Sequence, residues 1–216
     1  MDSLLVIMVV FSFILLLFVN VGAVATLEPT LLRFVAIYWK LLSLPVGMIF
    51  AMILLASYGI VSVRQLRGII VFEPLGFIAG VVGGLIVIMS SFLIVGVART
   101  IPKLEVTPSV MVALLVTGAI IETALFWVML PEILDTLFWL FMGYKYLSML
   151  LASVLSAITF GLLHVWAYGY DISLLSAILS AFGTSLMYLA LRDKFPSIGS
   201  GLVVAHIIWN LFAVYG

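Results

Sequence analysis

Residues 75–98, LGFIAGVVGGLIVIMSSFLIVGVA, run without a charge between Glu73 and Arg99. At 1.5 Å per residue such a helix is roughly 36 Å long, enough to cross about 30 Å of bilayer hydrocarbon. The same reading carried outward gives spans over Ser3–Leu27, Leu41–Val63, Leu75–Ala98, Ser109–Leu130, Tyr146–Ala167, Ile172–Leu191 and Ile198–Tyr215. The expected fold class is an all-α polytopic membrane protein, a bundle of about seven transmembrane helices. The runs Leu31–Trp39 and Thr136–Tyr144 are too short to span and read as interfacial pieces, where Trp and Tyr are at home. A shift of register would make either one part of an eighth span.

Composition supports this choice of solvent. Charged residues make up 8% of the 216-residue chain, against about 25% in soluble domains. Hydrophobic residues make up 66% and the mean hydropathy is +1.44, so there is too little polar surface to coat a globule in water. Nine basic and nine acidic residues leave no net charge, which argues against a nucleic-acid partner. The absence of Cys excludes disulfides, thiolate chemistry and Cys-type zinc sites.

The charges collect in short connections: Arg64 and Arg67, Arg99 and Lys103, Glu132 and Asp135, Asp171, then Arg192, Asp193 and Lys194. Pro74, Pro108, Pro131 and Pro196 sit beside span ends, where a missing backbone donor does little harm. With seven spans, Arg64, Arg67, Lys145, Arg192 and Lys194 fall on one side and Arg33, Lys40, Arg99 and Lys103 on the other. That near balance does not orient the chain under the positive-inside rule. Ala23-Val24-Ala25 has the small residues of a signal cleavage site, but Asp2 without a preceding Lys or Arg is the wrong flank, so a retained first helix is expected. Gly76, Gly80 and Gly84, four residues apart, are expected to serve close helix packing within the chain.

Three polar groups and an amide remain inside apolar spans. Glu122 lies in Ala119-Ile-Ile-Glu-Thr-Ala-Leu-Phe126 and reads as the one charge well inside a span. A charged residue at a helix centre costs roughly 2.5–3.5 kcal/mol, so it persists with a partner or a role. The chain's two histidines, His164 and His206, are also intramembrane, and Asn210 shares a helix face with His206 one turn away. Glu and one imidazole can hold and deprotonate a water. The second imidazole and the amide can donate to an oxyanion. The same Glu122, His164 and His206 could instead hold Zn²⁺, and spacing does not separate the two. No HExxH is present. No Ser/His/Asp set is evident near Ser156 or Ser200.

In order, Glu122-Thr-Ala-Leu-Phe126-Trp127, Phe160-Gly-Leu-Leu-His164 and His206-Ile-Ile-Trp-Asn210 resemble the three motifs of the CPBP intramembrane proteases. This is the CAAX protease and bacteriocin-processing (ABI) family. Its motifs are Glu-Glu-xxx-Arg, Phe-xxx-His and His-xxx-Asn. The resemblance covers residues 108–216 and implies a protease core there, with 1–107 supplying further membrane helices of unassigned role. It implies an endopeptidase acting on a membrane-anchored protein or peptide. Glu122 and His164 would activate the water, and His206 and Asn210 would form the oxyanion hole. The family is described both as glutamate proteases and as metalloproteases, so a Zn ligand set is left open. Two positions depart from the pattern: Thr123 stands for the second Glu and Trp127 for the Arg. An alternative is therefore a catalytically inactive member acting as a membrane scaffold or accessory subunit. A transporter or proton relay would need inverted repeats and broken helices, neither of which is visible in the hydropathy.

Overall fold

The computed structural model describes residues 72–95, 107–168 and 172–215. The expected spans Ser3–Leu27 and Leu41–Val63, the run Leu31–Trp39 and the Ala23–Ala25 segment lie outside the described residues. Those described are helical throughout, without strands: α1 Pro74–Val95, α2 Pro108–Glu122, a π segment Thr123–Met129, α3 Leu130–Met142, α4 Lys145–Tyr168, α5 Ile172–Leu191 and α6 Ile198–Tyr215. Helices are the form that satisfies every backbone group without water. Five helical stretches are long and apolar enough to cross a membrane. The chain is an integral, multi-pass membrane protein.

α1 shows how an all-apolar sequence chooses its faces. Gly76, Gly80, Gly84 and Ile88 are buried, while Leu75, Ile78, Val82, Ile86, Met89 and Leu93 are exposed. The small residues let α1 meet α6 backbone to backbone, as expected of the glycine stripe. A methyl group on Gly80 would stand 2.3 Å from Ile198 O, and one on Gly201 2.2 Å from Phe77 O. Glu73 anchors the start of α1. Its carboxylate accepts from the Leu75 and Gly76 amides at 3.0 and 2.6 Å, and its own amide donates to Ser197 Oγ at 2.5 Å.

Three expectations fail in one place. The fourth span does not stop at Leu130, Pro131 does not end a helix, and Thr136–Met142 continues the same helix instead of standing as a separate short piece. α2, the π segment and α3 form one continuous rod whose spanning stretch, Met111–Met142, is 32 residues long. The reason is local winding. The Leu130 amide donates to Leu125 O, five residues back, so the backbone is already wide where the Pro131 ring would press on the preceding turn. The rod ends at Gly143, whose φ of 71° suits a residue without Cβ and whose amide donates to Trp139 O at 2.8 Å.

The π segment occupies the centre of the bundle. It touches α4, α5 and α6 as well as its own flanking helices, and Leu125, Phe126 and Trp127 are essentially sealed from solvent and lipid. Wide winding displaces carbonyls from the ladder, and one of them finds its partner on a neighbour: Ser156 Oγ of α4 donates to Phe126 O.

Glu132 and Asp135, expected in a connection, are instead buried on α3. They stay there because Arg192, just past α5, reaches both carboxylates, with Asp135 Oδ2 at 2.7 Å. Ser148 Oγ adds a 2.6 Å bond to Asp135 Oδ1. Glu122 is thus not the single buried acid. The three acids differ in their partners: two share a guanidinium, and Glu122 faces imidazoles.

Candidate active site

Glu122 closes α2 at the entry to the π segment, and its side chain is buried. His164 comes from α4 and His206 from α6, each also buried. The two imidazoles approach a single carboxylate oxygen. His164 Nε2 lies 3.7 Å and His206 Nε2 3.6 Å from Glu122 Oε2. These separations exceed an ordinary hydrogen bond, but an atom about 2.8 Å from both oxygen and nitrogen fits at the apex of a triangle over the gap. The spacing admits one bridging atom, a water or an ion, between the carboxylate and the imidazoles.

The far nitrogen of each ring is held. His164 Nδ1 donates to Phe160 O, one helical turn earlier, at 2.8 Å. A carbonyl can only accept, so Nδ1 carries a proton and Nε2 is the nitrogen that faces Glu122. His206 Nδ1 is 3.0 Å from Thr123 Oγ1. Aromatic rings pack around both histidines. The Trp127 ring stacks on His206 with centroids 4.3 Å apart and planes within 13°, and Phe160 lies 4.2 Å from His164. Phe160 is thus used twice, as backbone acceptor and as packing ring, which gives the Phe-xxx-His spacing a physical meaning.

Asn210 follows His206 by one turn on the buried face of α6. Its amide Nδ2 is 3.5 Å from Leu115 O, two turns before Glu122 on α2. That is the outer limit of a hydrogen bond. Glu122, His164 and His206 meet at one point; Asn210 stands beside them on the same helix face as His206.

A small, half-open cleft reaches this point, lined among others by Phe92, Trp127, Phe160, His164, His206 and Trp209. The indole Nε1 atoms of Trp127 and Trp209 are buried without a hydrogen-bond partner among the described residues. The cleft also includes Ile88, so α1 contributes to the site although it precedes residue 108. Among the described residues, no group of three or more His, Asp or Glu side chains meets the spacing of a metal-ion site; the alternative of Zn²⁺ held by Glu122, His164 and His206 stays open.

Sequence reasoning passed over three contributors. Thr123 and Trp127 drew notice as departures from a motif, yet both contact His206. Ser156 supports the π segment from behind. No periodicity marks a π segment, and only the Pro131 that follows hinted at irregular winding.

No curated protein and no solved structure matches the chain. A family model does, that of the type II CAAX prenyl endopeptidases, Rce1-like, over residues 104–212. All four candidate residues fall inside that match, as do the π segment and the cleft's histidines. The chain belongs to the Rce1-like type II CAAX prenyl endopeptidase family.

Proposed function

We propose that the chain is an intramembrane endopeptidase that hydrolyses a peptide bond of a membrane-associated protein or peptide, with its core in residues 108–216. The observation that carries this reading is the placement of both imidazole Nε2 atoms within 3.7 Å of one Glu122 oxygen at the end of a cleft. A water between Glu122 and His164 gives up a proton as its oxygen attacks the scissile carbonyl. The carbonyl π electrons move to oxygen, and His206 and Asn210 donate to the oxyanion. The oxyanion collapses, the C–N bond breaks, and the protonated Glu122/His164 pair returns the proton to the departing amine. One water is consumed; an acid and an amine result. The aromatic lining keeps bulk water out, which strengthens each of these interactions.

The test is cleavage of a membrane-anchored reporter peptide by the purified protein in liposomes. Glu122→Gln and His164→Ala are each expected to abolish turnover, and His206→Ala to lower it by about 10²–10³-fold, the usual cost of an oxyanion donor. Wild-type rates in all three variants would overturn the mechanism. Addition of a chelator is expected to leave the rate unchanged; loss restored by zinc would require a metal between the same residues. A scaffold reading has one observation in its favour, the replacement of the family's second Glu and Arg by Thr123 and Trp127. Absence of cleavage across a panel of reporters by the wild type would favour it.

A further inference from the structure

We infer that Thr123 and Trp127 form a clamp on His206, Thr123 selecting the tautomer that carries its proton on Nε2 and Trp127 fixing the plane of the ring. Both are positioning residues. Their role in turnover rests on the reading of His206 as oxyanion donor; the tautomer itself does not.

Thr123 is fully buried, and among the described residues its hydroxyl has one partner, His206 Nδ1 at 3.0 Å. A threonine hydroxyl inside a helix usually donates to the carbonyl four residues back, as Thr136 does to Glu132 O and Thr159 to Leu155 O. Thr123 departs from this habit at the first residue of the π segment, where its own amide is shared between Ala119 O and Ile120 O. Its proton then has His206 Nδ1 to go to. If Nδ1 carried a proton instead, the Thr123 hydroxyl would accept and its own hydrogen would be buried without an acceptor, a penalty of about 1–3 kcal/mol. The hydroxyl therefore donates, Nδ1 accepts, and the proton of a neutral His206 resides on Nε2. Nε2 is the atom 3.6 Å from Glu122 Oε2, and in the proposed mechanism it is the oxyanion donor.

Trp127 completes the arrangement from four residues along the same segment. Its ring is buried and lies nearly parallel to the His206 ring, so rotation about the imidazole's side-chain bonds would drive one ring into the other. A hydroxyl at one edge and an indole on one face remove both freedoms that an imidazole has, tautomer and orientation. The family's acid and base at these positions are thus exchanged for a neutral pair serving a single histidine. One consequence is a contrast between the chain's two histidines. His164 has its proton on Nδ1, given to Phe160 O; His206 has it on Nε2.

This contrast can be read directly. The full chain, labelled with ¹⁵N-histidine and held in lipid nanodiscs, gives four ring-nitrogen signals, assigned by a His164→Gln variant. The expected pattern at neutral to alkaline pH is one ring protonated at Nδ1 and the other at Nε2. Thr123→Val is expected to move the His206 signals toward a tautomer mixture, and Thr123→Ser to keep the wild-type pattern. The His164 signals report that each variant is folded. Trp127→Leu is expected to broaden the His206 signals and Trp127→Phe to preserve them. A wild-type His206 protonated at Nδ1, or Thr123→Val signals identical to wild type, would overturn the proposal. In the reporter assay Thr123→Val is expected to lower kcat on the order of 10- to 100-fold with KM held, short of deleting an oxyanion donor, and Thr123→Ser to restore it. If the spectra follow expectation while Glu122→Gln still cleaves, the hydrolase reading fails and the clamp stands.

Discussion

Replacing Ser156 with Ala tests the account of the π segment most sharply. Phe126 O would ordinarily accept from the amide of residue 130 or, in a wide turn, of residue 131. The Leu130 amide is committed to Leu125 O, and Pro131 has no N–H. Ser156 Oγ supplies what both lack. Removing it leaves a carbonyl unsatisfied in a region where Phe126 and Ser156 are both fully buried, at a cost of about 1–3 kcal/mol. The cavity left by one oxygen adds little. Pro131→Ala returns a backbone N–H within reach of the same carbonyl, so it should cost little alone and rescue much of the loss in the Ser156→Ala background. The assay is equilibrium unfolding in mixed micelles for wild type, both single variants and the double. A coupling of about 1 kcal/mol or more between the sites is expected, well above the roughly 0.5 kcal/mol scatter of independent pairs. An unchanged midpoint for Ser156→Ala, or additive single effects, would refute the argument that Pro131 and Ser156 answer one another.

Two further outcomes follow from packing. Arg192→Met should destabilise the protein by about 3–5 kcal/mol, because it strands the buried Glu132 and Asp135 carboxylates. Adding Glu132→Met and Asp135→Asn should recover most of that, and a triple variant no more stable than the single one in the same unfolding assay would sink the ion-cluster account. Gly80→Ala should cost about 1–3 kcal/mol, since its methyl meets the Ile198 backbone. Gly83→Ala faces the Met187 thioether, which can move, and should be near neutral; equal losses at the two glycines would contradict the packing described for α1.

Much of the bundle was legible because lipid simplifies the reading. A run such as 75–98 has one solution in hydrocarbon, and its glycines marked the inward face that hydrophobicity alone could not. Four of the described spans were placed within a few residues. The fourth of the seven was misread because Pro131, Glu132 and Asp135 carry the signature of a loop: a helix breaker beside two charges. Their burial depends on Arg192, sixty positions from Glu132, and on winding that has no sequence period. The candidate site was legible for a different reason. With two histidines in the chain, and an acid and an amide placed in spans, scarcity left few combinations. What sequence could not supply was the role of neutral neighbours. Thr123 and Trp127 look like losses when set beside a motif and become contacts when set beside His206.

The rod from Met111 to Met142 carries one more implication. Its 32 residues, wound more widely over Thr123–Met129, well exceed the roughly 20 that an α-helix needs to cross some 30 Å of hydrocarbon. Exposed Trp139, Phe141, Tyr144 and Tyr146 lie at or just past its Met142 end, and these are residue types that settle at the headgroups. Glu122 sits partway along that rod. A stretch longer than the hydrocarbon is thick responds to lipid length by tilting or shifting, so the same protein reconstituted in short-chain and long-chain lipids is expected to hold Glu122 at different depths.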